Sequence, residues 1–166
     1  MSVEGPAPAP FPHLDERGSA RMVDVSGKDV TVREATATGR VLVSDAVLTA
    51  LRDGSIPKGD ALAVARIAGI AGAKRVPELL PLAHPVALHG VAVELSIGEG
   101  GVDIRATART ADRTGVEMEA LTAVAVAGLA LHDMVKKLDP EASLTQVRLQ
   151  RKTGGRSGDW RRDPGR

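Results

Sequence analysis

Between Thr114 and Leu138 the chain reads TGVEMEALTAVAVAGLALHDMVKKL. The spacing predicts one helix over 115–138 whose centre is apolar on every face except at Thr122. Such a helix is not a surface helix with one wet side; it has to be covered on more than one side. In a chain of 166 residues one cover is expected to be a sheet and the other a second subunit. The apolar run inside it, LTAVAVAGLAL, is too short to span a bilayer.

The flanking sequence supplies the sheet. Residues 31–43, TVREATATGRVLV, alternate and are rich in Val and Thr, so they predict the first long strand. MVDVS, residues 22–26, alternates over a shorter span and reads as an edge strand or lead-in. Residues 86–97 and 102–111 read as two strands joined by GEGG in a hairpin, and 143–150 as the last strand. Ser44 and Gly54 bracket a short helix, and a second helix runs from Asp60 to Lys74. Setting aside the short helix and the lead-in, the order is strand, helix, strand, strand, helix, strand. That order is the ferredoxin-like split βαβ arrangement: an α+β fold with an antiparallel sheet and its helices packed on one face.

The core has to be aliphatic and closely packed, because the chain is 43% hydrophobic with one Phe, one Trp and no Tyr. No cysteine occurs, which excludes disulfides, thiolate nucleophiles and sulfur-bound metal. A net charge of +1 gives no overall field toward nucleic acid or membrane. No apolar stretch follows a basic start at the N-terminus, so a cytoplasmic chain is expected. Residues 1–20, with Pro6, Pro8, Pro10 and Pro12, read as a disordered arm. Residues 21–159 read as one domain, and 160–166 as a basic tail.

Lys58 to Leu88 holds the densest chemistry. An apolar helical run carries Lys58 at its entry, Arg66 in its middle and Lys74-Arg75 at its exit, then a proline-punctuated turn with His84. Cations at those places suit a buried segment that also lines an anionic site, to which a helix N-terminus adds positive potential. Lys28, Arg33, Arg66, Lys74, Arg75 and Lys152 are the phosphate candidates, although each alone is more often a solvated charge. Asp133 and Lys136 share a helix face, as either a surface ion pair or part of a site. Glu117 and Glu119 suit a helix start, and equally offer carboxylates to a guanine-like edge. His84 is either a turn histidine bonded to backbone or a rigidly held ligand contact. The four histidines lack ligand spacing, so no metal site is expected. KTGGRSGD, residues 152–159, is glycine-rich but lacks phosphate-loop spacing.

KGD (58–60), ARIAGI (65–70), AKR (73–75), LPL-HP (80–85), TGVEMEALTA (114–123), HDMVK (132–136) and KTGGRSGD (152–159) occur in one order. In this the chain resembles the cyclic pyranopterin monophosphate synthases, the protein C family of molybdenum cofactor biosynthesis, from about Met22 to Asp159. One departure is Ala83, where the family usually has cysteine. The resemblance implies the ferredoxin-like fold and a hexamer built as a trimer of dimers, with active sites at subunit boundaries. It implies a lyase that converts 3′,8-cyclo-7,8-dihydroguanosine triphosphate to cyclic pyranopterin monophosphate and pyrophosphate. Asp133 would be the catalytic carboxylate, with Lys136 and Lys58 as catalytic lysines. A lysine works as acid or base near neutral pH when burial or neighbouring cations lower its pKa, which Lys58, Lys136, Lys137 and Lys152 would do if the fold gathers them. Leu82, Ala83, His84, Met118 and Glu119 would contact substrate, with Glu117 beside them and Lys74, Arg33 and Lys152 on the phosphates. No cofactor is implied beyond magnesium arriving with the triphosphate.

Two other classes are considered. An RNA-binding module of this topology stacks bases on aromatic residues of the central strands, and residues 102–111 have none. A non-catalytic nucleotide-sensing domain would bind the ligand and form no product.

Overall fold

The computed structural model describes residues 13–15 and 17–165. Most of the arm expected over 1–20, namely 1–12 and 16, lies outside the described residues. The elements are β1 (Thr31–Leu42), α1 (Asp45–Asp53), α2 (Ala61–Ala73), α3 (Val76–Leu79), β2 (Leu88–Gly98), β3 (Gly101–Asp112), α4 (Glu117–Val135), β4 (Ser143–Thr153) and β5 (Trp160–Arg161). The strands form one antiparallel sheet in the order β2-β3-β1-β4-β5. The α+β class and the order β1, α2, β2, β3, α4, β4 follow the expectation.

Alternation along the strands sorts the two faces. Ala35, Ala37 and Val41 of β1 and Val102, Ile104, Ala106 and Ala108 of β3 are buried under the helices. The other face carries Thr36 bonded to Thr107 (3.0 Å), Glu34 shared by Arg109 (3.2 Å) and Arg151 (2.5 Å), and Arg40 paired with Asp103 (2.7 Å). GEGG makes the β2–β3 hairpin: Gly98 pairs with Gly101, and Gly100 takes the left-handed turn at φ 67°. Asp60 caps α2 by accepting from the Ala63 N–H at 2.9 Å. Ser44 precedes α1 as expected, yet its side chain makes no cap bond; its own N–H donates to Asp139 Oδ2 at 2.7 Å.

Three local expectations are corrected. MVDVS is not a strand: β1 already has β3 on one side and β4 on the other, and the lead-in reaches no sheet edge. α2 of the same chain covers one side of α4, and α2 also reaches β2, so both helices pack on the same face of the sheet. The last strand continues to Thr153, so Lys152 sits in β4 and not in the glycine-rich loop. Trp160 and Arg161 of the tail pair with Lys152 and Arg151 as β5. The sequence also gave no warning of α3, a single turn with Pro77 near its start.

Small residues set how closely α2 and α4 approach. A Cβ added at Gly69 would lie 2.8 Å from the Ala123 carbonyl oxygen and 3.1 Å from Ala127 Cβ, and one at Gly72 would lie 2.8 Å from Val126 Cβ. The helices run in opposite directions, so the start of α2 meets the end of α4. α4 is long and apolar enough to cross a membrane by composition, but half of it is buried in this packing. Replacing Gly69 by Ala adds roughly 1 kcal/mol of helix propensity and costs about 1–3 kcal/mol of overpacking. Gly69→Ala is therefore expected to lower the urea unfolding midpoint; an unchanged or higher midpoint would show that the helices separate without cost.

Candidate active site

At the end of α4 the Asp133 carboxylate lies between two lysines. Lys136 Nζ is 2.6 Å from Oδ1 and Lys58 Nζ is 2.8 Å from Oδ2. Lys58 Nζ also donates to the Asp133 main-chain oxygen at 2.7 Å, satisfying one of the carbonyls that a helix end leaves open. Lys136 comes from the next turn of the same helix, whereas Lys58 arrives across the helix contact. Gly59 makes this possible, since its φ of 101° turns the chain between Lys58 and the α2 cap at Asp60. Hydrogen bonds from Lys136 and then Lys58, with their charges, hold the Asp133 pKa down to about 2. All three side chains remain reachable from solvent, Asp133 being 56% exposed. An ionised carboxylate bracketed by two ammonium groups can orient, accept and return protons on a ligand laid across it.

At the start of α4 lies a second group. Leu82, Ala83, His84, Met118 and Glu119 line one cavity of about 270 Å³, together with His13. The ring of His84 bonds to backbone through Nε2, 2.6 Å from the Val23 carbonyl oxygen, as the first of its two readings had it, and the residue also lines the cavity. Glu119 is 3% exposed, and burial pushes its carboxyl pKa up, with the nearby Glu117 charge also raising it. Glu117 pairs with Lys152 at 3.1 Å and lines both this cavity and an adjoining one that includes Arg33 and Lys152. Lys152 is thus fixed at the start of α4 by its place in β4.

The two groups do not meet within one chain. Between Glu119 and Asp133 the helix rises about 21 Å. Lys152 consequently does not join Lys58 and Lys136 within one chain, so the condition set for the four lysines is not met there. Among the phosphate candidates, Arg33 donates Nε to the Asp112 carbonyl (3.1 Å) and Nη2 to that of Arg113 (3.1 Å). Arg66 donates to the Val93 carbonyl at 3.2 Å. Lys74 is exposed at the C-cap of α2, away from the Asp133 group. His13 was missed by sequence reasoning, because a proline-rich arm carries no periodicity that would aim a side chain.

The acid behaviour of the Asp133 group follows from its depressed pKa. Its contribution to stability is complete above the ordinary value of 3.8 and is lost as the pH falls through about 2. In an NMR titration Lys136→Ala is expected to move the Asp133 midpoint up toward 3.8, and Lys58→Ala to move it up by less. A midpoint indifferent to both would deny the ion pairs. Glu119 has the opposite sign: its raised pKa costs stability once the pH climbs through the folded value. Glu119→Gln should then be at least as stable as the parent chain at pH ~8, an advantage that vanishes near pH ~4 in thermal melts.

Comparison with known proteins places the whole arrangement. The profile described as the MoaC family matches residues 22–155. A cyclic pyranopterin monophosphate synthase of Streptomyces avermitilis is 61% identical over 157 residues, covering 95% of this chain and 92% of that protein. One from Streptomyces coelicolor is 63% identical over 150 residues, covering 90% and 88%. Cyclic pyranopterin monophosphate synthase 2 of Mycobacterium tuberculosis strain H37Rv is 52% identical over 150 residues, covering 90% of each. With the family profile matching 22–155 and identity at this level over nine-tenths or more of its length, the chain belongs to the MoaC family.

Proposed function

We propose that this chain is a cyclic pyranopterin monophosphate synthase, a cytoplasmic lyase. It would convert 3′,8-cyclo-7,8-dihydroguanosine triphosphate to cyclic pyranopterin monophosphate and pyrophosphate in molybdenum cofactor biosynthesis. The observation that carries the reading is the convergence of Lys58 with Asp133, 75 residues away in sequence, and its neighbour Lys136, inside a chain of this family. In this reading Asp133 and the two lysines move protons while the purine-derived ring opens and recloses. The buried Glu119, with Met118, Leu82, Ala83 and His84, holds the ring edge, and Glu117 orients Lys152. Lys152 and Arg33 take the phosphates, and Lys74 adds positive charge. Magnesium enters only with the triphosphate.

The same reading includes an oligomer, a hexamer built from dimers, with each site shared. The ~21 Å between the groups exceeds what one bound nucleotide bridges, and a second copy can set its helix start against the first copy's helix end. Val64 and Ile67 of α2 and Leu129 of α4 are exposed apolar side chains available for such contacts.

Incubation with the cyclised dihydro-GTP and mass detection of pterin and pyrophosphate tests the activity. Lys58→Ala or Asp133→Ala should lower turnover at least a hundredfold with the fold retained. Binding without product in the parent chain would instead favour a nucleotide sensor. Mixing Asp133→Ala with His84→Ala subunits should restore up to about a quarter of the activity, since half of the sites in mixed dimers are intact. Mixing Lys58→Ala with Asp133→Ala should restore none, because those residues act from one chain.

A further inference from the structure

We propose that His13 is a substrate-contact residue: from a loop preceding the family-matched region it completes the cavity that holds the substrate's ring system and donates a hydrogen bond to the ring carbonyl. The inference rests on the function proposed above and adds a residue to the site.

The backbone places His13 deliberately. The described residues on either side of position 16 close on each other: the Arg21 N–H donates to the His13 carbonyl at 2.8 Å and the Asp15 N–H to the Ser19 carbonyl at 2.9 Å. Leu14 bridges Ala20. Asp15 Oδ1 accepts from the N–H groups of Arg17 (2.9 Å) and Ser19 (2.8 Å), an arrangement that fixes a turn without help from the core. The segment is then tied to the cavity wall by the bond between His84 Nε2 and the Val23 carbonyl.

The chemistry of the wall shows what is missing without it. A guanine-like edge presents N–H donors, which suit Glu119, and a carbonyl oxygen, which needs a donor. The Val23 carbonyl only accepts, so Nε2 of His84 carries the proton of that bond. In neutral His84 the remaining Nδ1 is then an acceptor. Lys152 does not line this cavity. Among the described residues lining the cavity, Glu117 and Glu119 bring carboxyls and Thr114 a short hydroxyl held close to the backbone, so His13 is the one side chain with a ring N–H free to donate.

Steady-state kinetics on the cyclised dihydro-GTP tests this with His13→Ala and His13→Gln, the second keeping an N–H donor. His13→Ala is expected to raise KM about tenfold with kcat within about twofold, the loss of one hydrogen bond. His13→Gln should recover most of that loss, and thermal midpoints should be unchanged because His13 is exposed. The same tenfold weakening should appear in calorimetric titration of the substrate into Asp133→Asn and Asp133→Asn/His13→Ala proteins. An active parent chain with KM unmoved by His13→Ala would overturn the role of His13 alone. Equal loss in the Ala and Gln variants would overturn the donor role. A parent chain that makes no product would overturn the proposed function and this inference with it.

Discussion

The structure depends on how close α2 and α4 can come. Their contact is made by glycine against backbone and methyl groups, Gly69 meeting the Ala123 carbonyl and Ala127. Larger side chains there would hold the axes apart, and the ammonium of Lys58 would no longer reach the last turn of α4. Packing of this kind gains dispersion from many small contacts, the only route open to a chain almost without aromatic side chains. The core and the Asp133 group are consequences of the same residues.

α4 organises chemistry at both ends by different means. At its start, burial makes Glu119 reluctant to ionise, and the N-terminal turn places Glu117 against Lys152. At its end, two cations make Asp133 very ready to ionise while leaving it reachable. One helix therefore displays a carboxyl held toward its neutral form and another held as an anion. Separating environments in this way is how groups of one chemical type are given distinct acid–base roles. The helix layer between these ends offers exposed apolar side chains, which suits a protein whose two half-sites belong to different copies in the function proposed here.

Much of the fold was legible because its signals are local. Alternation in TVREATATGRVLV sets the strand and its inward face, GEGG sets the hairpin, and Asp60 and Gly54 set helix ends. What failed also failed for local reasons. MVDVS alternates like a strand, but strand formation needs a free neighbour, and β1 has none to spare. Glycines after Lys152 concealed that β4 runs on past it. In the site, motif resemblance supplied the pairing of Lys58 with Asp133, which no periodicity encodes because it arises from packing of separate helices. The division of the site residues between two ends of α4 follows only from counting helix rise. His13 left no trace at all in the pattern of the chain.

The short strand β5 gives the end of the chain an unexpected reach. Trp160 pairs directly with Lys152, and the Arg162 side chain grips the Leu149 carbonyl at 2.7 Å while its guanidinium rests over the Trp160 ring at 5.8 Å. The backbone that aims Lys152 is therefore braced by residues only a few positions from the C-terminus. Loosening Trp160 or Arg162 would thus be felt at the strand that sets Lys152 against Glu117.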